Sequence, residues 1–333
     1  MDGYTTASKP GFYAGAGFFN GRIKPARSAL FQPATSAAYF ITSHFLTSPM
    51  RTTALRSLAF ACLASGLLLT SGCRRESDQM APDDVVSAED HGGGDEETAM
   101  SSDLLSAAAP TDETVTGSPA VAGADELARL LGRCAARTYN ADTRTLVLDF
   151  GPTNCLCPDG RYRRGKIVIV FTGNDLRRHS GATVTRQEYF VNDNQHTGTR
   201  IFADLGNGSF SVSVPSASII RANNGGTNSW TAQRLFTRTA GFGTPQISDD
   251  EYRITGSARG TNRKGVDYTA TIEQPLIKRF TAGCFRHFVS GTVALSNSNG
   301  KTMLLNYDPV GTNTCDNIAS VTVNGRTRTI TLR

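Results

Sequence analysis

The stretches Thr145-Leu-Val-Leu-Asp-Phe150 and Lys166-Ile-Val-Ile-Val-Phe171 decide the fold. In each of them a large apolar residue occupies every second position, while the positions between carry polar or smaller side chains. A period of two places alternate side chains on opposite faces of an extended chain, which is typical of β-strands with one buried face. Both stretches are therefore predicted to be strands of one folded domain.

Similar runs continue along the chain with no helical period among them: 182–191, 198–203, 209–214, 229–239, 251–258, 266–272, 288–295, 302–307, 320–323 and 326–332. Pairs such as Asn207-Gly208 and Asn324-Gly325 separate several of these runs and supply the positive φ angles that tight hairpins require. Short connections favour antiparallel pairing. We expect an all-β domain over 134–333 with about a dozen strands. A two-sheet sandwich is preferred, and a closed or partly closed barrel is the alternative.

The chain has 333 residues, of which 39% are hydrophobic. This average hides two segments of very different composition. Residues 73–125 contain 2 basic and 13 acidic residues, about −11 in net charge, whereas residues 134–333 contain 24 basic and 14 acidic residues, about +10. Residues 73–133 are rich in small and acidic residues and predict a disordered tether that keeps the domain off an anionic surface. A short helix is predicted over 125–131. Collagen, coiled coil and multi-span membrane protein are excluded.

A secretory signal precedes the acidic segment. Residues 50–56 carry two arginines, residues 57–69 are mostly apolar, and small residues lead to Cys73. This arrangement is typical of a signal peptide over 50–72, and Thr70-Ser-Gly-Cys73 resembles a bacterial lipobox. We therefore expect lipid attachment at Cys73. Cleavage without lipid and a retained anchor are the alternatives, since Thr70 stands where lipoboxes prefer an aliphatic residue.

Residues 1–49 precede this signal and contain a single acid, Asp2. Because a signal peptide must begin a chain, we interpret these residues as an over-extended gene start, disordered, with translation from Met50. An organelle transit peptide would share the acid-poor composition and is the rival interpretation.

Three segments carry a family resemblance: 148–167, with Asn154-Cys-Leu-Cys-Pro-Asp-Gly160; 252–266, with Tyr-Arg-Ile-Thr-Gly; and 315–325, with Cys-Asp-Asn-Ile-Ala. Over about Cys134–Arg333 the chain resembles an uncharacterised family of β-rich lipoproteins of the Bacteroidetes. The resemblance implies a cell-envelope location and a β-rich domain, and it assigns no activity and no catalytic residue.

Five cysteines remain outside the signal and the lipid site. Because disulfides are the default in an exported chain, we expect two bridges, Cys284 to Cys315 and Cys134 to Cys155, with Cys157 left over. A metal site at Cys155-Leu-Cys157 is the alternative, although zinc sites usually space cysteines by two or more residues.

A basic loop suggests binding. Arg161, Arg163, Arg164 and Lys166 surround Tyr162 and would suit an acidic glycan or a phosphate, although a charged strand edge that prevents aggregation explains the same residues. Trp230, the single tryptophan, would stack on a sugar if it were exposed and otherwise fills the core.

The sequence contains no linear catalytic motif of the common hydrolase, metalloprotease, phosphate-loop or calcium-loop types. A carbohydrate-active enzyme would need only two converging carboxylates from Glu188, Asp249, Asp250, Glu251, Asp267 and Glu273. His179, His196 and His287 are interpreted as surface or satisfied histidines rather than a metal site.

We therefore expect a lipid-anchored envelope protein, in the outer membrane, whose domain binds or has a structural role. Its partners would be the membrane and either an acidic glycan or an envelope protein. No cofactor, metal or nucleic acid is expected. A carbohydrate-active enzyme and an accessory subunit of an envelope assembly are the alternatives.

Overall fold

A computed structural model describes residues 80–112, 114–121, 123–173, 181–244, 246–281 and 283–332. Residues 1–49, the signal at 50–72, Cys73 and His179 lie outside the described residues.

The described domain is built mainly of β-strands, as the alternating pattern predicts. The strands are β1 Ala136–Asn140, β2 Thr145–Asp149, β3 Cys155–Leu156, β4 Tyr162–Phe171, β5 Ala182–Val191, β6 Asn194–Gly206, β7 Ser209–Ile220, β8 Thr227–Ala240, β9 Glu251–Thr261, β10 Asp267–Arg279, β11 Ser290–Asn297, β12 Thr302–Asn306, β13 Ile318–Val323 and β14 Arg326–Thr331. Every predicted run overlaps one of them, and the run at 182–191 coincides with β5.

The strands form one antiparallel sheet in which each strand pairs with its neighbour in sequence, apart from β3, which pairs with β4 beside the main path. The predicted sandwich is not confirmed, since all the described strands belong to a single sheet. The alternative of a closed barrel is also not confirmed, because the path ends at β1 and β14 without joining them. Tight hairpins explain this order, because a chain that turns back at once lays each strand beside the previous one.

The longer strands bend at irregularities in their pairing. Gly165 in β4 has a φ of 89°, and the register between β4 and β5 shifts there. A side chain at Gly165 would collide with the backbone of Glu188, so this bend accepts glycine alone. Further register shifts occur between β5 and β11, and such bulges increase the local twist and let a sheet curl.

Among the described residues, three helical segments precede the sheet: a 3-10 helix over Pro82–Val85, α1 over Val86–Ala108 and α2 over Ala124–Leu131. Helix α2 lies where a short helix is predicted. The disorder predicted for residues 73–133 is not confirmed in their described part, because α1 is regular over 23 residues. None of the helices in the described ranges is both long and apolar enough to span a membrane.

Helix α1 is buried on all of its sides, with 21 of its 23 residues buried. Arg186 of β5 contacts it at Glu97, and Leu305 of β12 lies beside Gly92. Seven strand spacings of about 4.8 Å separate β5 from β12, roughly 34 Å in a flat sheet, whereas a helix is about 10 Å across. The sheet must therefore curl around α1, and we call its concave face the interior.

Candidate functional site

The interior is lined with charged residues of opposite sign on the helix and on the sheet. Acidic residues of α1 point outward from the helix axis and meet basic residues whose side chains point inward from the sheet. A buried charge is tolerated only when it is paired and hydrogen-bonded. The position of α1 therefore depends on how well each acid is matched.

The N-terminal half of α1 is held by arginines of two hairpins. Asp90, which is fully buried, accepts hydrogen bonds from Arg221 Nη2 at 2.5 Å, from Arg263 Nη1 at 2.5 Å and from the Arg263 backbone N–H at 2.7 Å. Arg263 also pairs with Glu89. Arg221 lies at the end of β7 and Arg263 follows β9, so the two hairpins fix this end of the helix together.

The middle of α1 carries three consecutive acids, Asp95, Glu96 and Glu97, and each contacts one histidine and one arginine. Asp95 Oδ1 accepts from Arg234 Nη2 at 2.6 Å. Glu97 Oε2 accepts from Arg186 Nη2 at 2.8 Å. Arg161 Nη2 lies 3.8 Å from Glu96 Oε2. The three histidine contacts are all at 3.1 Å and join His91 to Asp95, His287 to Glu96 and His196 to Glu97.

These contacts control the ionisation of two of the acids. Burial raises the pKa of Asp95, but the charges of Arg234 and His91 outweigh it and hold the pKa well below its ordinary value. Burial likewise raises the pKa of Glu97, and His196 and Arg186 together lower it well below its ordinary value. Both carboxylates are therefore charged at neutral pH, and their charges stabilise α1 in the interior.

The C-terminal half of α1 is held by Asp103. Its Oδ2 lies 3.1 Å from Lys278 Nζ and accepts the Arg286 backbone N–H at 2.7 Å. Burial raises the pKa of Asp103 to about 6 in spite of Lys278. The folded state therefore binds this proton more tightly than the unfolded chain does. The stability that Asp103 contributes is largest below about pH 4 and is lost as the pH rises through about 6.

The predicted basic loop does not present four free cations. Arg161 is buried and points toward α1, and Arg163 forms a bidentate pair with Asp159 at 2.6 and 2.7 Å. Arg164 pairs with Asp193, and Lys166 Nζ lies 2.9 Å from Asp149. An acidic ligand would have to compete with a carboxylate of the chain at each position, so the sequence-based binding hypothesis gains no support from the geometry.

The carboxylates that the alternative of a carbohydrate-active enzyme would need have separate hydrogen-bond partners where these are described. Four of them accept hydrogen bonds from four different residues: Asp249 from Thr244, Asp250 from Arg238, Glu251 from Arg279 and Asp267 from Thr261. Glu188 and Glu273 are exposed. Partners of this kind are typical of acids at turns and strand edges.

Trp230 fills the core, as the second of its two interpretations predicts. The side chain is 5% exposed, and its ring lies so close to Gly94 of α1 that a Cβ there would be 3.1 Å from it. An indole that is 5% exposed has no free face on which a sugar could stack. The absence of a side chain at Gly94 is what lets the helix approach this part of β8.

A groove of about 650 Å³ runs across β7 to β11. Two aromatic residues, Trp230 and Tyr268, line it together with Ala217 and Gly260 and with residues that can form hydrogen bonds: Ser216, Ser229, Thr231, Thr261, Thr269, Ser296, Ser298, Asn297, Arg259 and Asp267. Such groups suit hydrogen bonding to a polar ligand. Sequence reasoning named Trp230 and Asp267 separately but did not bring them together in this groove, because the lining residues are spread over five strands.

The cysteines lie in the predicted pairs. Cys134 and Cys155 form one disulfide with Cα atoms 5.5 Å apart, and Cys284 and Cys315 form another with Cα atoms 4.9 Å apart. Cys157 is a buried free thiol, and burial raises its pKa. With Cys155 in a disulfide, the alternative metal site at Cys155 and Cys157 loses one ligand.

Within the described ranges no group of three or more histidine, cysteine, aspartate or glutamate side chains is arranged to hold a metal ion. No protein-family model, no curated protein and no solved structure matches the chain. The function must therefore be argued from the geometry.

Proposed function

We propose that the chain is a lipid-anchored protein of the bacterial cell envelope, and that its sheet has a structural or binding role in which α1 connects the anchor to the domain. The observation that carries the proposal is the burial of α1 in the interior with matched charges along its length. A helix held in this way would tie the segment that follows Cys73 to the sheet.

The spacing between the proposed lipid site and the helical region supports this role. Eight residues lie between Cys73 and Pro82, where the first helical turn begins. A chain extends by at most about 3.3–3.6 Å per residue, so these residues span no more than about 30 Å. A lipid on Cys73 would keep the sheet close to the membrane, and the partner would be an envelope component within that distance.

The anchor itself can be tested by phase partitioning. Expressed from Met50 in a bacterium that processes lipoproteins, the wild-type protein is expected in the detergent phase of a Triton X-114 extract, since two or three acyl chains anchor a protein stably at about 0.8 kcal/mol per buried methylene. Cys73→Ala should move it to the aqueous phase. Cys62→Ala, a matched change within the signal, should leave the partitioning unchanged. Equal partitioning of wild type and Cys73→Ala would refute the lipid anchor.

A further inference from the structure

Arg200 is a buried cation without a matching carboxylate. The side chain is fully buried, and its Nη1 donates to the Thr197 carbonyl at 3.2 Å. Its Nε and Nη2 have no hydrogen-bond partner among the described residues. The guanidinium lies over the Trp230 ring, 5.6 Å from its centroid. An arginine is effectively always protonated, so a full positive charge is enclosed here with one hydrogen bond.

Arg186 adds a second cation to the same part of the interior. Its Nη2 donates to Glu97 at 2.8 Å and to Ser101 Oγ at 3.0 Å, while its Nε and Nη1 have no partner among the residues that the structure describes. Burial lowers the pKa of Arg200 well below its ordinary value, and the charge of Arg186 lowers it further. The two guanidinium groups therefore repel each other, and both side chains are buried.

The negative charge in this region does not balance the two arginines. Glu97 acts on Arg200, but its carboxylate already contacts Arg186 and His196. Two guanidinium groups and one carboxylate leave one positive charge even when His196 is neutral. Burial of an uncompensated charge costs several kcal/mol, so the folded protein gains by taking up a counter-ion.

Helix α1 leaves room on the face that carries Glu97. Gly93 lies one turn before Glu97, and residues four apart share a helix face. A Cβ built at Gly93 would meet no atom within 4 Å. Space beside the helix thus occurs on the face that meets Arg186, and Gly93 is itself partly exposed, which gives a small solute a route from solvent.

We propose that Arg186 and Arg200 bind a small anion from solution inside the sheet, either chloride or an oxyanion such as phosphate. Forked N–H groups of arginine suit an oxyanion, and the charge alone suits chloride. The bound anion would accept hydrogen bonds from the guanidinium nitrogens that have no partner in the chain, and it would complete the charge balance around α1. The proposal is independent of the lipid anchor.

The test is a thermal unfolding series on the full domain at constant ionic strength, in which sodium gluconate is replaced stepwise by sodium chloride, phosphate or acetate. A ligand that binds the folded state raises Tm in a saturable way. We expect a saturable rise of several degrees with at least one of the three anions. The anion that produces it distinguishes a halide, an inorganic oxyanion and a carboxylate as the ligand.

Two variants and a control assign the effect. Arg200→Met should abolish the saturable rise, whereas Arg253→Met, at an exposed position of strand β9, should retain it. Arg200→Lys keeps the charge without the fork and should weaken phosphate binding more than chloride binding. Line broadening of ³⁵Cl in NMR spectra of the wild-type protein, reversed by phosphate, gives a direct reading that needs no variant. The proposal fails if no anion gives a saturable shift, or if Arg200→Met keeps the wild-type response.

Discussion

Replacing Asp95 by alanine should lower the free energy of unfolding by about 3–5 kcal/mol, because it leaves Arg234 and His91 charged or polar, buried and without their carboxylate. Both of these side chains are at most 3% exposed. The measurement is urea unfolding followed by circular dichroism. Asp142→Ala, at an exposed turn position between β1 and β2, is the matched control and should change the free energy by less than about 0.5 kcal/mol.

A second substitution tests whether the loss of stability comes from the buried Arg234 that Asp95→Ala leaves without its carboxylate. Adding Arg234→Met to Asp95→Ala removes the orphaned guanidinium and should restore part of the lost stability. A loss of less than 1 kcal/mol in Asp95→Ala, or a further loss when Arg234→Met is added, would contradict the assigned role of this ion pair.

The same variant predicts a pH dependence with a definite sign. The pKa of Asp95 in the folded state lies below its ordinary value of 3.8. Its contribution is therefore complete above about pH 4 and is lost as the pH falls further. The difference in stability between wild type and Asp95→Ala should be constant between pH 5 and pH 7 and should narrow below pH 4.

Removing the second disulfide should cost about 3–4 kcal/mol. Cys284 and Cys315 are 31 residues apart in sequence, and closing a loop of that length in the unfolded chain accounts for this value in the chain-entropy model. The Cys284 carbonyl also accepts a hydrogen bond from Lys278 Nζ at 2.8 Å, so the bridge supports the loop whose backbone binds Asp103. The double variant Cys284→Ser/Cys315→Ser is the test, again by urea unfolding.

The free cysteine provides the control. Cys157→Ala removes one buried thiol and closes no loop, so we expect a loss of about 1 kcal/mol. Mass spectrometry of a non-reduced digest should link the Cys284 and Cys315 peptides in the wild type. Free thiols at both positions in protein purified from the envelope would contradict the disulfide, as would a double variant as stable as Cys157→Ala.

The strands could be predicted from the sequence because their signal is local. Alternation within β4 and β5 and the Asn-Gly pairs between strands depend on neighbours in the chain. Strand β1 was missed because Tyr139 is its one buried residue, which leaves too little alternation to recognise. The choice of a sandwich is not confirmed, and the sequence could not decide it, because the period of two reports which face is buried and carries no information on what covers that face.

Helix α1 could not be predicted from its own sequence. It contains three consecutive glycines, at 92–94, and a run of acids, which gives a weak helical pattern. Its stabilising contacts with the sheet are distant in sequence, from 65 residues for Arg161 with Glu96 to 191 residues for His287 with Glu96. One signal was present: the acidic segment and the basic domain carry nearly equal and opposite charges. The sequence interpretation assigned that charge to repulsion from a membrane, whereas the structure pairs it with the sheet.

In the candidate site, too, features with a local sequence signal could be predicted and features that depend on distant contacts could not. The cysteine pairs could be predicted because each cysteine borders a strand. The roles of Arg161 and Arg163 could not, since a basic cluster in sequence gives no sign of which side chains turn inward. Arg200 and Arg186 drew no attention for the same reason, because their importance comes from burial beside α1.

The central claim is that α1 is held inside the sheet by buried ion pairs, and cleavage of the chain after α1 tests it most directly. A protease site inserted between Thr114 and Val115, which lie in an exposed segment, allows the folded protein to be cut there. The account predicts that the fragment carrying α1 co-elutes with the sheet in size-exclusion chromatography at neutral pH, and that Asp95→Ala hastens its loss while Asp142→Ala does not. Separation of the two fragments immediately after cleavage, with the sheet still folded, would contradict the account.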